Sequence, residues 1–270
     1  MRAAPILLVL ALAACDGPGV VKRTEASRFQ QVSSDMLAHG KRVADVVGCT
    51  GCHEENLQGR DWSDELGTLW TANVTRSAQL HSDEELRAMI LTGRRADREL
   101  HGMPSHIFTK LDEGDLAAII AYVRSVPVGG EIHPEPSFGP ELEAMLADGS
   151  LKSSAGDVAE FGAQHSPDLG EEHALGRYVV RATCAECHGV DLAGATSPFP
   201  GDVPRPDLRI VAAYDEAAFT TLMRTGKAAG NREIGLMSTV ARGRFSQLTD
   251  AEVAAVHGYL RALAESENTR

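Results

Sequence analysis

Four of the five cysteines in this 270-residue chain stand in two matching frames. One reads Cys49-Thr50-Gly51-Cys52-His53; the other, 135 positions on, reads Cys184-Ala185-Glu186-Cys187-His188. Other features recur at nearly the same spacing: Thr92-Gly93 with Thr225-Gly226, Met103 with Met237, and Tyr122-Val123-Arg124 with Tyr259-Leu260-Arg261. Features repeated in the same order mark a tandem duplication, so the fold must be one small unit built twice. The expected units are residues 34–130 and 171–266, joined by a linker at 131–170.

Each unit reads as helices separated by loops. Between Asp35 and Val47, the residues Met36, Leu37, Val43, Val46 and Val47 fall roughly along one helical face. Ser82-Asp83-Glu84-Glu85 forms a capping box ahead of Leu86, Met89, Ile90 and Leu91, and Gly93 stops that helix. A third helix is expected from Asp115 to Val126, ended by Pro127. The second unit repeats the scheme at His173 to Ala182, Asp215 to Thr225 and Thr249 to Glu265. Gly- and Pro-containing loops such as Pro198 to Pro206 separate cysteine frame from second helix. Strand-like alternation is sparse, and the expected class is all-α. The linker, with Pro134, Pro136, Pro140 and Pro167, predicts one short helix around Glu141 to Leu146.

The N-terminus reads as a targeting segment. Arg2 precedes an apolar run from Ala3 to Ala14, too short for the ~20 residues of a membrane-spanning helix. It ends Leu12-Ala13-Ala14-Cys15, a frame similar to a bacterial lipobox. Residues 1–14 are therefore expected to be a lipoprotein signal peptide, Cys15 the acylated residue, and 15–33 an anchor and polar spacer. Several acyl chains on one residue anchor stably where a single chain does not. Asp16 resembles the signal that retains some lipoproteins in the inner membrane, on its periplasmic face. Net charge is −12, which argues against nucleic-acid binding. A mean hydropathy of −0.16 excludes a multi-span membrane protein.

Cys-x-x-Cys-His is the frame of c-type haem attachment. Two thiols three positions apart on one helical turn reach the two vinyl groups of one haem, and the next His lies where its imidazole can bind the iron. Three other readings compete. A thioredoxin-like redox pair needs a βαβ setting that neither copy has. A zinc site spanning both pairs would bridge residues 52 and 184, far beyond zinc-module spacing. Two small-loop disulfides would leave the repeated His a coincidence.

Both halves resemble the class I cytochrome c family, over about residues 34–130 and 171–266. His101-Gly102-Met103-Pro104-Ser105 through Val126-Pro127 is similar to the stretch carrying the distal methionine and terminal helix, as is Met237 to Arg261. Asn73-Val74-Thr75 and Met103-Pro104 resemble cytochrome subunits that accompany periplasmic dehydrogenases. The resemblance implies two covalently attached haems, with Cys49, Cys52, Cys184 and Cys187 as thioethers, His53 and His188 as proximal ligands, and Met103 and Met237 as distal ligands. It also implies that Gly40 packs on Tyr122, and Gly176 on Tyr259. Ser238 replaces the proline expected after Met237.

Repeat symmetry alone does not single out Met103 and Met237, because Met89 and Met223 are matched too. Those two fall on apolar helical faces, where methionine is core filler; Met103 and Met237 are expected in polar loops. His101 and His106 flank Met103 as alternative ligands. Arg94, Arg95 and Arg232 are candidates for haem propionates, and Trp62 and Trp70 for a haem wall. The expected function is a lipid-anchored periplasmic electron carrier between a dehydrogenase or quinol-linked complex and a terminal acceptor. The acidic surface anticipates a redox partner with a basic patch. The alternatives are a haem enzyme with one open or unusually ligated iron, for peroxidase chemistry or sulfur-compound oxidation, and a fixed electron-transfer subunit of an oxidoreductase complex.

Overall fold

A computed structural model of the chain describes residues 28–196, 199 and 202–267. The leader and Cys15 lie outside the described residues, as does part of the 198–206 loop. The first half holds α1 (Met36–Val47), α2 (Cys49–His53), α3 (Val74–Leu80), α4 (Asp83–Thr92), α5 (Ser105–Phe108) and α6 (Glu113–Ser125). Then come α7 (Pro140–Asp148) and α8 (Ser154–Phe161), and the second half supplies α9 (Ala174–Thr183), α10 (Ala185–His188), α11 (Glu216–Thr225), α12 (Leu236–Gly243) and α13 (Asp250–Glu267). The described strands are three antiparallel ribbons, each pairing two residues with two, at 67–68 with 137–138, 94–95 with 98–99, and 227–228 with 232–233. The molecule is all-α, as its periodicity requires.

Local rules set the helix ends. Asp35 caps α1 by accepting from Leu37 N at 2.9 Å, and Gly48 closes it at φ 95°. Ser82 and Glu85 complete their reciprocal box, and Gly93 ends α4 at φ 64°. In each half the first and last helices cross at a glycine. A Cβ on Gly40 would collide with the Ala118 carbonyl and sit 3.1 Å from Tyr122 Cβ; on Gly176 it would strike the Ala255 carbonyl and lie 2.6 Å from Tyr259 Cβ. Both glycine–tyrosine pairs therefore meet as the resemblance implies.

Residues 131–170 do more than connect. Besides α7 they form α8, which packs on α4 and α5. Ser154 N donates to Leu100 O at 2.8 Å, and Thr109 Oγ1 to Gly162 O at 2.7 Å. The linker is thus a second layer over the first half.

The described part of the expected spacer is also built in. Phe29 is fully buried, edge-on to Tyr178 with ring centroids 5.4 Å apart. Its N–H donates to Asp115 in the first half at 2.9 Å, and Gln30 N donates to Glu252 in the second at 2.7 Å. Residues 28–34 therefore staple the halves together, and α1 and α5 both touch α9.

Candidate functional site

Left-handed Gly48 separates α1 from the first cysteine turn, whereas α9 passes directly into Cys184. The four thiols are free and half-buried. Burial pushes Cys49 up to about 12 and Cys184 up to about 11, and raises Cys52 and Cys187. Reactive or metal-held cysteines show the opposite shift. No three His, Cys, Asp or Glu side chains gather into a metal-binding cluster among the described residues.

The histidines that close the two frames are held alike. His53 Nδ1 lies 2.8 Å from Ala72 O, and His188 Nδ1 lies 2.8 Å from Pro206 O. A carbonyl at Nδ1 fixes the proton there and leaves Nε2 as the nitrogen for a metal. Burial holds both rings below their ordinary pKa, in the neutral form that ligates. The chain leaves each frame at a positive φ, 65° at Glu54 and 77° at Gly189. It then turns through a left-handed, fully buried leucine, Leu57 or Leu192. Gly59 N returns to His53 O at 2.9 Å, and Gly194 N to His188 O at 3.0 Å. Leu57-Gln58-Gly59 and Leu192-Ala193-Gly194 share the 135-residue spacing, a repeat signal not used above.

The distal candidates differ. Met103 lies in the loop before α5, whereas Met237 is the second residue of α12, not a loop residue. Ser238 explains the difference. Its N–H donates to Gly235 O at 3.0 Å, a bond that Pro104 cannot make. Both methionines are half-buried against the apolar core, while Met223 is 4% exposed and belongs to the core itself.

Other candidates are committed elsewhere. His101 sits edge-on to Phe138, and His106 faces Phe161. Arg94 pairs with Glu99, Arg95 with Asp97 and Glu135, and Arg232 donates to Ala229 O. Trp62 lies 44% exposed beneath Arg60, and Trp70 stacks on His133 at 4.2 Å. Asn73 caps α3 and donates to Gly129 O and Glu131 O, tying the linker's start to the loop behind His53.

Paired thiols on one turn, a carbonyl-fixed imidazole and a half-buried thioether fit a haem in each half. The fold and these frames define a c-type haem protein. A family model for cytochrome c matches residues 37–127 and 173–264, and the chain belongs to the cytochrome c family. It is also 23% identical, over 86% of its length, to the fructose dehydrogenase cytochrome subunit of Gluconobacter japonicus. The chain spans about half (54%) of that relative's length. Its function is that of its family, electron transfer.

Proposed function

We propose that the chain carries two haems, one per half, and relays single electrons from a dehydrogenase to a later acceptor. The observation that carries this is the duplicated proximal geometry, in which His53 and His188 are each fixed through Nδ1 by a backbone carbonyl 18 or 19 residues on. Attached haem supplies a one-electron iron couple, and thioether ligation favours its reduced state relative to two-histidine ligation. The residues do the rest. Cys49 and Cys52, and Cys184 and Cys187, would hold each macrocycle against loss. His53 and His188 would hold the iron through Nε2, and Met103 and Met237 would hold it through sulfur. The similarity to a dehydrogenase cytochrome subunit supports a dehydrogenase as donor. The Leu12-Ala13-Ala14-Cys15 frame supports a lipid anchor at Cys15 and a periplasmic, membrane-bound location. The net charge of −12 supports docking to a basic patch, with association slowing as salt rises.

Axial-ligand spectroscopy tests the ligand set. The oxidised protein is expected to show two low-spin haems with the methionine–iron charge-transfer band. Met103→Ala and Met237→Ala should each remove about half of that band. One high-spin haem in the wild type, or a band indifferent to either variant, would place an open or differently ligated iron in that half.

A further inference from the structure

One side chain reaches from the second cysteine frame to the residues just before the first. Arg244 follows α12 in the second half, and its Nε donates to Val46 O in α1 at 3.2 Å. Its Nη1 donates at 2.8 Å to Glu186, an internal residue of the second Cys-x-x-Cys-His frame. The guanidinium lies so close to Gly48, the residue before Cys49, that a Cβ there would stand 2.6 Å from Arg244 Cζ. Nη2 is buried with no hydrogen-bond partner among the described residues. The pair is well shielded, with side-chain exposures of 14% for Arg244 and 26% for Glu186. Both charges lie where the two frames approach each other. The repeat does not explain the arginine: counting back from the matched pair Tyr259 and Tyr122, Arg244 corresponds to Ile107.

We propose that the Arg244–Glu186 pair is the junction between the two haem sites, pinning the attachment turns edge to edge and setting both reduction potentials. This rests on the two-haem reading. Electron tunnelling falls exponentially with edge separation, so a bond from the first frame's helix to the second frame fixes the distance that matters. A partly buried charge is weakly screened and would act on an iron held at either frame. The cation favours arrival of an electron, and the anion opposes it. Arg244 and Glu186 are positioning residues, since neither ligates.

The test is a spectroelectrochemical titration of both haems in the full holoprotein. Arg244→Gln should lower both midpoint potentials and Glu186→Gln should raise both. Each shift corresponds to about 3- to 30-fold in the reduction equilibrium. Arg244→Lys should stay near wild type, and so should Arg261→Gln, which breaks an exposed pair with Glu265. A merely structural clamp predicts shifts of one sign for both neutral variants, or none; either result, or a response confined to one haem, overturns the proposal. If Arg244→Gln does not accumulate, Glu186→Gln decides by its sign alone. Fewer than two haems per wild-type chain by pyridine haemochrome would overturn the underlying reading, and the proposal with it.

Discussion

The Tyr178 hydroxyl donates to Asp115 Oδ2 at 2.7 Å, so one half of the duplication supplies a donor for a buried acid of the other. The reverse crossing runs through Arg42, whose Nη1 donates to Glu252 at 2.8 Å. Tyr178 stands two residues after Gly176 and Arg42 two after Gly40; Asp115 and Glu252 each stand seven before the crossing tyrosine. Equivalent positions have thus diverged into two reciprocal contacts across the seam. A buried carboxylate is tolerated only when donors surround it. Asp115 has Phe29 N, His39 Nε2 and Tyr178; Glu252 has Gln30 N, Arg42 and Thr249 N.

Tyr178→Phe keeps the ring against Phe29 but removes the hydroxyl that serves Asp115 and also accepts from Asp112 N at 3.0 Å. Two buried polar groups lose a partner, and the expected loss is about 1–3 kcal/mol. Thermal unfolding of the holoprotein measures it. A melting temperature equal to wild type would show that water replaces the hydroxyl.

Removing Arg42 leaves Glu252, which is fully buried, without its cation. Arg42→Met is expected to cost on the order of 3–5 kcal/mol, and the double variant Arg42→Met with Glu252→Gln should recover part of that. Denaturant titration of the wild type, the two single variants and the double variant forms the cycle. Additive losses would mean that the two groups do not interact.

His106 makes stability depend on pH. Burial first, and Arg181 second, lower it from an ordinary 6.5 to about 4. Between those values the unfolded chain binds the proton that the folded one refuses, so stability rises with pH. The contribution is complete above about pH 6.5 and is lost as pH falls toward 4; partial exposure limits it to about 1–3 kcal/mol. His106→Asn should flatten that part of the profile, and an unchanged slope would assign it to other groups.

Cys49→Ala with Cys52→Ala should halve the haem content by pyridine haemochrome, leaving one haem on the second half. Because Arg42, Phe29 and Gln30 hold the halves together, the remaining half should also melt at lower temperature. Independent melting of the second half at its wild-type temperature would contradict that coupling.

Much of this was legible in the residues. Ser82, Gly93, Asp35 and Pro127 act within a few positions of themselves, so the helix ends they set could be read locally. The cysteine frames carry their chemistry in five consecutive residues. The seam could not be read this way. Asp115 and Glu252 sit in the first turns of their helices, where an acid ordinarily caps or faces water. Their burial depends on partners as distant as Phe29, 86 residues away, and Gln30, 222 away. Met237 was expected in a loop by analogy with Met103, although Leu236, Met237, Val240 and Ala241 already carry a helical spacing. The second helix of the linker was hidden by its Gly and Ser content, and α8 gains its stability from the helices beneath it.

The staple at residues 28–34 has a consequence for biosynthesis. A ribosome delivers Gln30 222 residues before Glu252, yet the pocket for Phe29 contains Tyr178, and Gln30 waits for Glu252. Phe29 and Gln30 must therefore stay unplaced until their partners have been made. Either half produced alone would expose the carboxylate that its sister was meant to cover. The duplication created two copies of one module, but the later exchange of contacts made their folding a single event.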